Sequence, residues 1–282
     1  MASDATIVAT VATGLQFPEG MVFVGNTLYF VDNGSSDVFR LVGDKVQKVW
    51  HQDGCGANGL VQVGNRLLVA CYDNGTIAEI TVSGQLVGTI RSDDAGLPFL
   101  SPNDLTADRK GGVYFTASGS GATLGKVYYR GVDGHVREVA SDIRYANGLV
   151  VSLDGTHLYL AESAENRLLI YAIGADAGLS DRQPFIKLGD LLAATSGDQA
   201  FTPDGVRIDR HGNLFVALYR GGGFAVFSAN GKLIKMVQLP ASHHTSLAIA
   251  PDRKFVFVTA IYDQPGGGSR GELLKVPNPV AE

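Results

Sequence analysis

Six short stretches of this chain begin on a polar side chain, and each leads within a dozen residues to a run of strand-forming apolar residues. The positions are Glu19, Asn58, Asn103, Asn147, Asp204 and, in a weaker sixth copy, His244 or Thr245, spaced by roughly 40 to 57 residues. As ligands, Glu19, Asn103, Asn147 and Asp204 offer oxygen alone, two of them anionic and two neutral. Oxygen-only ligation suits hard cations, and two carboxylates balance a divalent charge. Ca²⁺ is favoured because a wide all-protein cage fits its large, flexible shell. Mg²⁺, Mn²⁺ and Zn²⁺ are the alternatives, zinc being the least suited because it prefers imidazole and thiolate. An Asn-Gly or Asp-Gly pair taken alone is a turn signal. Recurrence at one position, and a Glu19-Gly20 pair in the first copy, argue for more than a turn.

Such a set becomes a cage only if the fold brings it to one axis, and the flanking residues predict that it does. Glu19-Gly20-Met21-Val22 leads to Leu28-Tyr29-Phe30-Val31, Asn147-Gly148-Leu149-Val150 to Leu158-Tyr159-Leu160-Ala161, and Asp204-Gly205-Val206 to Leu214-Phe215-Val216-Ala217. Turn residues such as Asp108 to Gly112, Asp154-Gly155 and Asp209 to Gly212 separate the paired runs. Two further strands follow each pair. The expectation is an all-β, six-bladed β-propeller with blades of four antiparallel strands, occupying 1–282 as one domain. An open ring would leave unpaired edges, so the N-terminal strand Thr6–Ala12 is expected to close it beside Gly271–Val276. A short helix is expected over Leu188–Thr195.

The chain has 282 residues, 45% hydrophobic and 18% charged, with a net charge of −5. That composition supports a large core and argues against nucleic acid or an anionic membrane as partner; a small-molecule substrate is expected instead. Neither a signal peptide nor a membrane span is recognisable, so a cytoplasmic protein is the expectation. On that basis Cys55 and Cys71 are expected to be reduced thiols.

Phe17-Pro18-Glu19-Gly20, Ser101-Pro102-Asn103-Asp104, Ala146-Asn147-Gly148-Leu149 and Thr202-Pro203-Asp204-Gly205 together resemble the senescence-marker protein/gluconolactonase/luciferin-regenerating enzyme family of six-bladed propellers. The likeness covers nearly the whole chain. It implies a catalytic divalent ion held by Glu19, Asn147 and Asp204, with Asn103 as ligand or substrate contact, and hydrolysis of lactones or similar esters. The chain departs from the family where an arginine often precedes the third-blade asparagine, since Phe99-Leu100-Ser101-Pro102 stands there. Ala117-Ser118 follows Tyr114-Phe115-Thr116 where an aspartate is common, and the sixth blade lacks the usual Phe-Gly-Gly run. These departures leave the cage whole and point away from a polyhydroxylated sugar.

First and second strands are antiparallel, so the loops after the second strands rim the same end as the six polar positions. Tyr72, Tyr219 and Tyr262, with Phe17 and Tyr145 near the strand starts, supply an aromatic wall; Asn58, Asn103 and His244 join Phe17, Tyr72, Tyr145 and Tyr219 as substrate contacts. In metal-assisted ring opening Asp204 is the base or water-orienting group. Asp104 supports Asn103, and His243 or His244 is the candidate proton shuttle. Ser118 and Ser120 have no paired histidine, which disfavours a serine nucleophile. Two other readings remain: a non-hydrolytic propeller enzyme, strictosidine-synthase-like or a lyase, and a binding scaffold. The first gains from the apolar third-blade approach but has no use for an oxygen cage.

Overall fold

The computed structural model describes residues 8–189 and 201–281. Its strands form six four-stranded antiparallel sheets arranged in a ring, the propeller that the repeats predict. The innermost strands of the blades are Pro18–Val24, Ala57–Val63, Pro102–Ala107, Ala146–Val151, Thr202–Ile208 and Leu247–Ile249. Each touches its counterpart in the neighbouring blade, and the sixth meets the first.

The second strands, such as Val113–Ala117 and Leu214–Tyr219, are buried almost throughout because both of their faces meet another blade. The apolar clusters accordingly straddle blade boundaries. Tyr29, Val31 and Val38 of the first blade pack on Leu60, Leu67 and Val69 of the second, and Met21 and Phe30 pack on Phe257 and Leu273 of the sixth. Each fully buried leucine or phenylalanine there contributes about 1.5–3 kcal/mol. Outer strands such as Lys45–His51 are mostly exposed and polar. Asp108 and Asp209 hold their hairpins by accepting two backbone N–H groups each, from Lys110 and Gly112 and from His211 and Asn213.

Ala9–Leu15 pairs with Ser269–Pro277 and completes the sixth blade. This is the expected closure, with the strand running further toward Leu15 than Thr6–Ala12; residues 6 and 7 lie outside the described residues. Of the helix expected over Leu188–Thr195, everything from 190 onward also lies outside them. Among the described residues no helix is long and apolar enough to cross a membrane.

The reduced thiols are a correction: Cys55 and Cys71 form a disulfide, both fully buried. Their pairing follows from strand register. Ala57 faces Cys71 across the second-blade hairpin, which leaves the two cysteine Cα atoms 4.5 Å apart. Reasoning from compartment alone does not contain that register.

Candidate active site

The polar positions share one backbone device. Pro18 pairs with Asp32 and Met21 with Phe30, so the inner strand carries one residue more than its partner between those pairs. The same bulge recurs at Ala57/Leu60, Pro102/Leu105, Ala146/Leu149 and Pro203/Val206. His243 facing Ile261 and Leu247 facing Val258 repeat it in the sixth blade. A bulge re-aims the side chains it contains, and here it holds Glu19, Asn58, Asn103, Asn147, Asp204 and Thr245 at the bottom of one cavity. The Asn-Gly and Asp-Gly pairs therefore lie within strands and not in turns.

Their glycines serve close packing between blades. A Cβ on Gly59 would lie 2.3 Å from the Asn103 carbonyl oxygen, and one on Gly148 would lie 2.3 Å from that of Asp204. The third blade has Asp104 at this place. Its carboxylate reaches Arg207 of the fifth blade, with Nη1 to Oδ2 at 2.9 Å, and also accepts the Leu105 N–H. Asp104 thus faces an arginine, a partner that the sequence reading missed because 103 residues separate them.

The cavity holds about 490 Å³. Besides the polar floor it is lined by Phe17, Tyr72, Tyr145 and Tyr219, which places those four expected contacts together. The hydroxyls of Tyr72 and Tyr145 are 3.2 Å apart. Burial, and then the neighbouring Tyr72 hydroxyl, push the Tyr145 phenol upward, so it stays protonated. Tyr145 also has φ of 64°, a left-handed backbone that a tyrosine adopts only under constraint. Asn33, Asp73, Ser163, Ala164 and Thr202 line the cavity as well. The first four sit in loops after second strands, the signal by which they were findable.

Three expected site residues are elsewhere. His244 is fully buried, its Nδ1 2.7 Å from the Thr259 carbonyl oxygen, and it does not line the cavity. Thr245 takes the sixth position, its hydroxyl donating to the Pro18 carbonyl across the first and sixth blades at 2.9 Å. His243 pairs with Asp263 at 2.9 Å and stacks on Tyr219, behind the lining. The bulge explains both, since it turns the chain so that the residue after the two histidines faces inward. Tyr262 lies under the Arg270 guanidinium, 4.3 Å from its ring centre, and is no part of the wall. Ser118 Oγ donates to the Ala146 carbonyl at 2.8 Å, a bond that leaves it no nucleophile's role.

Electrostatics single out Glu19 and Asp204. Burial raises the Glu19 carboxyl well above the usual range, and the charges of Asp204 and Asp104 raise it further. Burial and then Asp104 raise Asp204, against the opposing pull of Asn147, Arg207 and the Gly205 N–H. In their ionised forms the three carboxylates and one guanidinium carry two net negative charges, which one divalent cation would balance.

The amides differ in a way that separates ligand from lining. Asn58 is engaged at both ends: Asn33 donates to its Oδ1 at 3.1 Å, and its Nδ2 donates to the Asn103 carbonyl at 3.4 Å. Asn147 donates from Nδ2 to Ser163 Oγ at 3.1 Å, and Ser163 in turn donates to Pro203 O at 2.6 Å, which fixes the amide's orientation. Asn147 Oδ1 is then buried with no partner. An orphaned oxygen beside two buried carboxylates fits a hard cation. Among the described residues no cluster of three or more His, Cys, Asp or Glu side chains is arranged to hold a metal, so an ion here relies on amide oxygens too.

The sequence profile described as the SMP-30/Gluconolactonase/LRE-like region matches residues 17–262. The pentonolactonase XacC of Haloferax volcanii is 26% identical over 271 residues, covering 95% of this chain and 89% of its own. An uncharacterised protein of Sulfolobus acidocaldarius is 31% identical over 147 residues, which is 51% of this chain and 50% of that one; the match spans half of its length. Among solved structures, the gluconolactonase XC5397 of Xanthomonas campestris superposes with a TM-score of 0.79 at 24% identity, over 97% of this chain and 91% of that one. Regucalcin of Agrobacterium tumefaciens, a calcium-binding protein, gives 0.72 at 19% identity, over 95% and 94%. At these identities the two structures speak for the fold.

Proposed function

The chain belongs to the SMP-30/gluconolactonase/LRE-like family, and on that premise we propose that it is an enzyme of lactonase type that opens a lactone with the help of a divalent cation held by Glu19, Asn103, Asn147 and Asp204. The observation that carries the ligand set is the buried, partnerless Asn147 Oδ1 next to two carboxylates with raised proton affinity. Calcium is the ion the oxygen donors favour, and a calcium-binding protein of the same fold supports it. When bound, the ion supplies positive charge that polarises the carbonyl and acidifies water.

The residues of the chain do the rest. Asp204 takes the proton from the attacking water or orients that water, and its burial raises its proton affinity above that of an ordinary aspartate. Water adds to the carbonyl carbon, the ring C–O bond breaks, and the released oxygen takes up a proton, giving a hydroxy acid. Asn103 positions the substrate from the floor, and Asn58, with both amide ends engaged, lines the pocket as a fixed dipole. Phe17, Tyr72, Tyr145 and Tyr219 hold the ring and keep bulk water from it. Residues 1–282 act as one propeller domain on a small-molecule substrate.

The test is metal quantification on purified protein, followed by aliphatic, aromatic and sugar lactones assayed with and without chelator. The expected result is one divalent ion per chain and hydrolysis that chelator abolishes and calcium restores. Hydrolysis indifferent to chelator would overturn the metal role.

A further inference from the structure

The cavity has an exit. It shares Tyr72, Tyr145 and Ala164 with an adjoining recess, and that recess shares Gly119, Thr123 and Leu124 with a groove of about 210 Å³. Leu97, Leu100 and Leu124 stand along this groove at 52%, 41% and 42% exposure, above a base of Pro98, Ala117 and Tyr128. These three leucines are among the larger apolar side chains left open to solvent, and they gather beside the cavity mouth. The charge in the groove is directed elsewhere, since Lys126 is paired with Glu138 at 2.7 Å.

The groove is built by third-blade backbone. The segment before the inner strand and the loop after the second strand are tied together by Ser118 N–H to Ser101 O at 2.9 Å and Gly119 N–H to Leu100 O at 3.1 Å. The loop folds back on itself through Ser120 and Thr123. Ser118 Oγ anchors it to the fourth blade. Both segments lie at the end of the blade that carries the polar floor, so a track leaves the floor through one sector of the rim, passes a recess lined by Ser101, Ser118, Ser120 and Arg144, and ends in the apolar groove.

We propose that this groove seats the hydrocarbon substituent of the substrate, which makes the preferred substrate class an alkyl-substituted lactone: its ring lies over the polar floor and its chain along Leu97, Leu100 and Leu124. The proposal rests on the lactonase reading for the ring and on the continuity of cavity, recess and groove for the chain. An alkyl chain gains from apolar contact at each methylene, whereas hydroxyls placed on these leucines would lose water without a replacement.

Two measurements test it on the intact protein. Calorimetry would compare γ-lactams, which are not hydrolysed, carrying a methyl or an octyl group; kinetics would compare γ-valerolactone with γ-dodecalactone. Each fully seated methylene is worth about fourfold, so even partial seating in an open groove predicts at least about thirtyfold preference for the octyl compounds in both. Leu100→Asp and Leu124→Asp are each expected to cut that ratio about tenfold, while Leu153→Asp, an exposed leucine in the fourth-blade hairpin, leaves it unchanged. Octyl preference in binding without turnover of any lactone would overturn the lactonase reading and keep the groove. Turnover with no dependence on chain length in either measurement would overturn the groove and keep the lactonase. A dimer in light scattering that Leu100→Asp dissolves, again without chain-length dependence, would assign the leucines to a second copy and overturn the proposal.

Discussion

The floor of the cavity and its rim are made in different ways. On the floor, Glu19, Asn58, Asn103, Asn147, Asp204 and Thr245 occupy one repeated place, a bulge in the inner strand of each blade. The backbone of the next blade presses against several of them so closely that a glycine must follow. On the rim, Phe17, Tyr72 and Tyr145 come from connections that differ in length and sequence from blade to blade, and Tyr219 ends a second strand. The floor is thus fixed by the ring, and the chemistry assigned to it is the part least free to vary. The rim can change one loop at a time, and substrate choice belongs there.

The most severe test of the division is to remove one charge from the floor without changing its shape. Glu19→Gln or Asp204→Asn is expected to lower kcat/KM for a lactone by about a thousandfold or more, the scale of losing a preorganised electrostatic contact. Bound divalent ion should fall in parallel, read by calorimetric titration. A variant that retains activity would place the chemistry on the rim and break the comparison.

Glycines sharpen the same contrast in stability. A Cβ at Gly148 would lie 2.3 Å from the Asp204 carbonyl oxygen, whereas one at Gly121, in the rim loop of the third blade, would meet nothing within 4 Å. Gly148→Ala is therefore expected to lose about 3 kcal/mol through overpacking against backbone, and activity with it, because Asp204 must shift. Gly121→Ala has only its left-handed backbone to oppose it, with φ of 59°, a penalty of about 1 kcal/mol. Urea unfolding of the two variants reads the difference.

What the sequence makes legible follows this division. The floor repeats, and Glu19, Asn147 and Asp204 stand out because the same polar-Gly step precedes an apolar run in blade after blade. The bulge itself has no residue signature, so the sixth position reads ambiguously as His244 or Thr245, and only the strand register shows Thr245 turned inward. Contacts between distant blades are invisible in the same way: nothing near Asp104 announces Arg207, and nothing near Cys55 announces that a hairpin lays Cys71 against it. On the rim Tyr72 and Tyr219 are found by their place after second strands and Tyr145 by its place before an inner strand, but Tyr262 by the first of these rules is misplaced, because Arg270 and Glu272 on the adjacent strand claim it.

His244 links the floor to pH. Burial lowers its pKa to about 4 from the ordinary 6.5, so the folded protein holds it neutral. As pH falls below 6.5 the unfolded chain takes up a proton at this residue and the folded chain does not, until pH nears 4. Its contribution is therefore constant above pH 6.5, declines between 6.5 and 4, and is level below, with a total of up to about 3 kcal/mol. His244→Gln retains an N–H for the Thr259 carbonyl but cannot titrate. Urea unfolding at pH 7 and pH 4.5 should show a smaller drop in the variant than in the parent; equal drops would mean that the histidine gains a proton inside the fold.

The smallest effect belongs to the rim. Tyr145→Phe removes one hydroxyl of the pair with Tyr72, a contact of 3.2 Å at the edge of solvent, and leaves the ring in the wall. A hydrogen bond of that kind is worth about 0.5–1 kcal/mol, so kcat/KM should fall by less than about fivefold, through KM more than kcat. The phenol is held protonated by burial, so it can act as an acid, by donating a proton or hydrogen bond, and not as a base through a phenolate. A loss of kcat approaching that of Asp204→Asn would therefore make Tyr145 the donor to the leaving oxygen. The strained φ of 64° at Tyr145 would then be the means by which a loop residue attains the fixed placement that the bulges give the floor.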